Sequence, residues 1–228
     1  MSDVEILVEE DEEGAARRVA EVLAEAARAG AEIALTGGST PGRAYEIAAE
    51  LEPDWSRSGV WWGDERCVPP EDENSNYRLA RETLLDHLGK RPREVHRIRG
   101  EQGGDDGAAQ YDDELRGVTL DLVLLGLGPD GHVASLFPNA PSLQERNRLV
   151  IPTEAQLEPF VDRISLTLPA LRAGREVVFL VTGEAKADAV ARAVADAPDP
   201  ATPGSLVRAD SGRTRAFLDR AAASTLPG

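Results

Sequence analysis

The sequence predicts an α/β fold: a mostly parallel open sheet flanked by helices, in a modified Rossmann-like arrangement, forming one domain over residues 1–228. Three observations predict it. Apolar runs alternate with amphipathic, helix-period segments along the chain, the pattern of repeated β-α units. Two of those runs, "LDLVLLGLG" (120–128) and "EVVFLVTG" (176–183), are almost continuously apolar, as strands covered on both faces are. There is no internal repeat and no low-complexity linker, and 228 residues suffice for one sizeable core.

The elements follow in order. "VEILVE" (4–9) reads as a first strand, and residues 12–29 as a helix with Val19, Val22, Leu23 and Ala26 on one face. "AEIALT" (31–36) is a second strand, followed by a helix over 41–51 with proline in its first turn. "SGVWWG" (58–63) is a third strand. "NYRLARETLLDHL" (76–88) is an amphipathic helix with Tyr77, Ala80, Leu84 and Leu88 aligned. After the strand at 120–128, "RISLTLPAL" alternates as a half-exposed strand does. The run at 176–183 leads into a helix over 184–195, and "TRAFLDRAAAS" fits either a short strand or a helix.

Composition excludes several classes. Hydrophobic residues make up 41% and charged residues 29%, which is ordinary for a globular chain. No run approaches ~20 apolar residues, so no membrane helix is expected. The acidic start "MSDVEILVEEDEEGAARR" lacks the apolar segment of a signal peptide, and the single cysteine, Cys67, forms no internal disulfide; a cytoplasmic protein is expected. The formal charge of −16 disfavours nucleic acid and anionic membranes as partners. It also requires a local positive site for any anionic substrate. Nothing in the sequence names a protein partner.

In parallel sheets ligands collect beyond the C-terminal strand ends. That rule selects the loops after Thr36, Gly63, Leu125 and Thr182. In "LTGGSTPGRAYE", Gly37 and Gly38 free the backbone to turn its N–H groups toward one point. Ser39 and Thr40 add hydroxyls, and a helix N-terminus follows, which is what a phosphate needs. A capped strand–helix turn fits the same residues. "WWGDERCVPPEDENSNYRLA" sets Asp64, Glu65 and Arg66 at a strand end: a carboxylate pair for metal or acid–base work with an arginine for an anion, or a surface ion-pair cluster. Cys67 reads as packing, and Ser75 and Asn76 sit at a helix start, where capping explains them at least as well as binding does.

"LGLGPDGHVASLFP" (125–138) spells G-x-G-x-x-G with Gly126, Gly128 and Gly131. A dinucleotide fingerprint needs a helix after the glycines and an acidic residue at a strand end about 20 positions on. Pro138 and Pro141 cut any such helix short, and Glu145 sits in the polar stretch "QERNR". The loop reads instead as a turn that brings Asp130 and His132 to the sheet edge, His132 as general base with Asp130 orienting it, against the plainer reading of a surface histidine. His87 and His96 are expected to face solvent. Lys186, in "VTGEAKADAV", and Arg163, in "VDRISLT", supply positive charge for an anion or are simply exposed. No nucleophile elbow, zincin helix or C-x-x-C occurs, so neither a serine nucleophile nor a metal site is expected.

"LTGGSTP", "WWGDERCVP" with "NSNYRLARETLL", "LGLGPDGHVASLFP", "RISLTLPAL" and "FLVTGEAKADAV" together resemble the 6-phosphogluconolactonases of the glucosamine-6-phosphate deaminase/6-phosphogluconolactonase family, in order and spacing, over roughly residues 30–220. The resemblance implies hydrolysis of 6-phospho-D-glucono-1,5-lactone to 6-phosphogluconate in the oxidative pentose phosphate pathway, with no metal and no organic cofactor. It implies His132, Asp130 and Arg66 as catalytic residues, Asp64 holding Arg66, and Gly37, Gly38, Ser39, Thr40, Asp64, Arg163 and Lys186 around the sugar phosphate. In the deaminases of the family the loop histidine is followed by a segment ending Asn-Glu-Pro, whose glutamate serves proton shuttling. Here that segment is "VASLFP", and no carboxylate follows His132 until Glu145. The alternatives are a deaminase-like isomerase and a non-catalytic sugar-phosphate sensor.

Overall fold

A computed structural model describes residues 4–156, 158–195 and 197–226. The strands are β1 (Val4–Glu9), β2 (Glu32–Leu35), β3 (Gly59–Trp62), β4 (Asp64–Arg66), β5 (Glu94–Val95), β6 (Leu122–Leu125), β7 (Val150–Thr153), β8 (Arg163–Leu166), β9 (Glu176–Val181) and β10 (Arg213–Asp219). The α-helices are α1 (Glu12–Ala29), α2 (Ser39–Leu51), α3 (Asn76–Ala80), α4 (Gly104–Leu115), α5 (Leu168–Arg172) and α6 (Ala187–Val194). Seven strands form one sheet in the order β1-β10-β9-β6-β2-β3-β5, every neighbouring pair parallel.

The order reverses between β6 and β2. From β2 the chain continues outward to β3 and β5, and from β6 to β9 and β10, so the loops leaving β2 and β6 open away from one another. Such a switch point leaves a crevice beyond the carboxyl ends of the strands. Past the leading Glu32 and Glu176, the strands beside it are apolar: Ile33–Leu35, Leu122–Leu125 and Val177–Val181 are all buried. α1 shows why the covering layer packs closely. Its buried stripe is mostly alanine, with Val19 and Leu23, so Val22 and Ala26 lie at its margin rather than at its centre. Asp11 accepts the Gly14 N–H at its start, and Gly30, at φ 77°, ends it.

The sequence reading missed a second sheet. β4, β8 and β7 form an antiparallel three-stranded ribbon. Against it packs α4, also unforeseen, because "GDDGAAQYDDEL" offers little more than Ala108, Tyr111 and Leu115 to the core. The ribbon explains a correction. Arg163–Leu166 is buried at every position instead of half-exposed, since the cover from α4 and the functional crevice leaves it no solvent face. "LPALR" is α5, capped by Thr167, rather than a continuation of the strand. The helix expected over 76–88 is α3 followed by one wide turn over Arg81–Leu85. "RTRAFLD" resolves as a strand. Among the described residues no helix is long and apolar enough to cross a membrane.

Candidate active site

The four loops selected from the sequence meet at the switch point around a cavity of about 330 Å³ lined by Thr36–Pro41, Asp64, Arg66, Asn76, Gly126–Gly128, His132, Ala134, Arg163, Leu180–Thr182 and Lys186. Of the residues that the resemblance implies, all but Asp130 are on that wall, and Asp130 is bonded to His132; Glu65, the other half of the carboxylate pair, is not on it.

On the β2 side α2 begins at Ser39, two residues earlier than the sequence suggested, with Gly38 at its cap position and no side chain bonded to the first N–H groups. The N–H groups of a helix start carry partial positive charge and attract anions. Gly38 sits at φ 117°, which other residues rarely adopt. Gly37 is glycine for space: a Cβ there would lie 2.0 Å from Asn76 Oδ1. The Thr40 hydroxyl, expected to face a ligand, donates to Glu12 Oε1 at 2.7 Å and lies 2.9 Å from the Thr182 hydroxyl. Since the Thr40 hydroxyl donates its one proton to the Glu12 bond, Thr182 is the donor in that second contact.

The ribbon supplies the opposite wall. Arg66 on β4 is directly across from Arg163 on β8, and directly opposed residues of an antiparallel pair project to the same face. Two arginines thus converge on one cavity. Burial, with Arg66 close by, lowers the pKa of Arg163 from its ordinary value, and the Asp64 charge offsets this in part. Arg163 also lies over the Phe137 ring, 5.6 Å from its centroid. Arg66 donates to Asn74 O at 2.9 Å and to Asn76 Oδ1 at 2.5 Å, while its buried Nε has no hydrogen-bond partner among the described residues. Asp64 was expected to hold Arg66, and the contact between them runs through Asn76. The Asn76 Nδ2 donates to Asp64 O at 2.9 Å and Asp64 Oδ1 at 3.2 Å.

Alternation along β4 separates the apparent carboxylate pair. Asp64 faces the cavity, whereas Glu65 turns away and accepts from the N–H groups of Arg66, Asn76 and Tyr77 and from the Ser75 hydroxyl. Ser75 is the cap of α3, as expected. Asn76 is more than a cap, and the sequence left its role open between capping and binding because its partners lie 10 and 12 positions upstream. Burial and the nearby Asp162 and Glu65 charges push the Cys67 thiol up to about 11, in keeping with a packing role.

Beyond β6, His132 Nδ1 lies 2.6 Å from Asp130 Oδ1, which also accepts the His132 N–H at 3.1 Å. A carboxylate on Nδ1 fixes the proton there and leaves Nε2 as the acceptor. Burial raises the Asp130 pKa, but the His132 charge and hydrogen bonds outweigh it, so the carboxyl stays below its ordinary value. The pair rests on Gly128: a Cβ there would lie 2.0 Å from His132 Nδ1 and 2.5 Å from Asp130 Oδ1. The Gly131 turn, at φ 94°, closes the loop through a Gly131 N–H to Gly128 O bond of 2.9 Å. No helix follows the glycines; the chain reaches only a short 3-10 turn at Pro141–Gln144. Lys186 ends another short turn, half-buried, with its pKa lowered by burial and partly restored by Asp130. Of the remaining histidines, His87 is exposed as expected, and His96 is only partly exposed, because it stacks on Trp61 with ring centroids 3.8 Å apart.

Fold and site define an α/β enzyme whose carboxylate-oriented histidine, opposed arginines and open helix N-terminus meet at the switch-point crevice. The model of the family described as glucosamine-6-phosphate isomerases/6-phosphogluconolactonase matches residues 8–216, and the chain belongs to that family. It is 41% identical to a 6-phosphogluconolactonase of Streptomyces coelicolor, over all of this chain and 97% of the relative. With the human 6-phosphogluconolactonase it shares 39% identity, over 92% of this chain and 86% of the relative. A solved structure of 6-phosphogluconolactonase from Trypanosoma brucei superposes with a TM-score of 0.89 at 26% identity, covering both chains completely. A monomeric glucosamine-6-phosphate deaminase, at 17% identity and a TM-score of 0.87, shares the fold.

Proposed function

We propose that this protein hydrolyses 6-phospho-D-glucono-1,5-lactone to 6-phospho-D-gluconate, the pentose phosphate reaction, with His132 as the base. The observation that carries the reading is the placement of a histidine, its Nδ1 engaged by Asp130, on the same cavity wall as two opposed arginines and an uncapped helix start. Like charges facing across a strand pair are destabilising, and a bound anion offsets that repulsion. The phosphate lies on the Gly37–Thr40 turn, with Lys186 neutralising its charge. His132 Nε2 takes a proton from water as the oxygen attacks the lactone C1. Arg66, whose buried Nε is left as a donor, and Arg163 face the negative charge that develops. The C1–ring oxygen bond then breaks, and the departing oxygen takes the proton back from His132, leaving the carboxylic acid and the free hydroxyl. Oriented donors of this kind typically contribute about 10²–10³ in rate, and a general base roughly 10²–10⁴.

An isomerase needs a second carboxylate to move protons on the sugar carbons. The first carboxylate after His132, Glu145, is absent from the cavity wall and is bonded instead to the Arg146, Asn147 and Arg148 N–H groups and the Arg148 side chain. The test is the wild-type protein given each substrate in turn. Accelerated loss of the lactone with no ammonia from glucosamine 6-phosphate is expected; ammonia release without lactone loss would reverse the assignment.

A further inference from the structure

The Asp64 carboxylate stands on the cavity wall, where a ligand contact was expected of it, yet both its oxygens are already engaged by protein donors. Oδ2 accepts the Ser135 hydroxyl at 2.6 Å, and Oδ1 accepts Asn76 Nδ2 at 3.2 Å. Asp64, Ser135 and Asn76 are all at most 5% exposed. Ser135 is gripped a second time, its N–H donating to Ser165 Oγ at 3.1 Å. Asp64 and Ser165 are direct cross-strand partners on β4 and β8, so the ribbon presents two acceptors side by side, one to the hydroxyl and one to the backbone of the same serine.

Ser135 is three residues beyond His132, too short a connection for the two to move independently. Between them Ala134 is held at φ 48°, a backbone state that residues with a side chain rarely adopt. The turn closes with a Leu136 N–H to Val133 O bond of 2.9 Å. Upstream, His132 is fixed by Asp130 and by the floor at Gly128. Downstream, its anchor is Ser135. Through Asn76 the same Asp64 also reaches Arg66. One buried carboxylate therefore ties the histidine loop and the arginine to a single point.

We propose that Ser135, clamped between Asp64 and Ser165, is a positioning residue that sets the register of His132 against the bound lactone, and that Asp64 acts through this clamp rather than as a substrate ligand. The proposal rests on the lactonase reading with His132 as base. A misplacement of about 1 Å at a reacting group can cost 10²-fold, and loss of one of the two Ser135 bonds is a smaller disturbance.

The experiment is Ser135→Ala, with Ser165→Ala as a second variant that removes the acceptor of the Ser135 N–H, along with the Ser165 hydroxyl's own bond to Leu166 O, and keeps the Ser135 hydroxyl on Asp64. Each is measured for kcat and KM on freshly generated lactone and for binding of 6-phosphogluconate by calorimetry. Ser135→Ala should lower kcat about tenfold, with KM and the product dissociation constant within twofold of wild type and full binding stoichiometry. Ser165→Ala should change kcat in the same direction by less. Ser135→Cys, which keeps a weaker donor of similar size, should fall between Ala and wild type. Unchanged kcat in Ser135→Ala overturns the proposal while leaving the lactonase reading intact. A parallel loss of product binding or of stoichiometry overturns it in favour of a general structural role. Wild-type protein that fails to accelerate lactone loss overturns the reading and the proposal together.

Discussion

Alanine at Gly128 isolates what the glycine-rich loop is for. A Cβ there would lie 2.0 Å from His132 Nδ1, 2.3 Å from its Cε1 and 2.5 Å from Asp130 Oδ1, whereas ordinary contact begins near 3.4 Å. The imidazole must therefore shift by more than about 1 Å, and displacement on that scale costs on the order of 10²-fold in a positioned reaction. Gly126, on the same cavity wall, is the comparison, because a Cβ at that position meets no protein atom within 4 Å. In a dinucleotide fold the first glycine of the fingerprint makes the tight turn at the cofactor, so the two substitutions discriminate between the two uses of the same string. Gly128→Ala should lower kcat/KM for the lactone by about 10², and Gly126→Ala should leave it within a few-fold, with both variants keeping the wild-type circular dichroism. The assay is the decay of freshly generated lactone followed by acid release. A Gly128→Ala enzyme as fast as wild type, or a Gly126→Ala enzyme as impaired as Gly128→Ala, would refute the reasoning.

Lys186→Ala should raise KM about ten- to a hundredfold with kcat little changed, the range for losing one hydrogen bond to a charged group, checked by steady-state kinetics near neutral pH. Because burial lowers the Lys186 pKa from its ordinary 10.5, the ammonium is lost as pH rises through that lowered value. Affinity for 6-phosphogluconate, measured by calorimetry, should fall in that alkaline window, and Lys186→Arg, which stays charged, should delay the fall; a decline identical in both proteins would count against the contact. Cys67, with its thiol pushed up to about 11, has roughly a hundredfold less thiolate at pH 8 than an ordinary cysteine. It should react correspondingly slowly with Ellman's reagent in the native protein, and Cys67→Ser should keep wild-type kcat.

The parallel sheet was legible because its central strands are apolar at consecutive positions, and the glycine-rich exits after β2 and β6 marked its ligand-binding edge. The β4-β8-β7 ribbon was not. β4 is only three residues, "DER", with no apolar pattern, and its pairing partner lies about a hundred residues downstream. Without the ribbon, the facing of Arg66 and Arg163 and the separation of Asp64 from Glu65 could not be read. The roles of Asn76 and Ser135 escaped for a related reason: each acts through groups distant in sequence, Ser135 through Asp64 71 positions away. His132 and Asp130 were visible because their spacing of two is itself the contact. His96 looked like an ordinary polar residue because its stacking partner, Trp61, is supplied by β3, far away in sequence.

The proposed hydrolysis turns on His132 as its base. The most direct measurement is the decay of freshly generated 6-phosphogluconolactone with wild-type protein and with His132→Ala, at equal concentrations and with 6-phosphogluconate binding confirmed for both. Fast decay with wild type, and decay reduced by about 10²–10⁴ with the variant at unchanged KM, is the predicted result. A His132→Ala protein as fast as wild type would contradict the account.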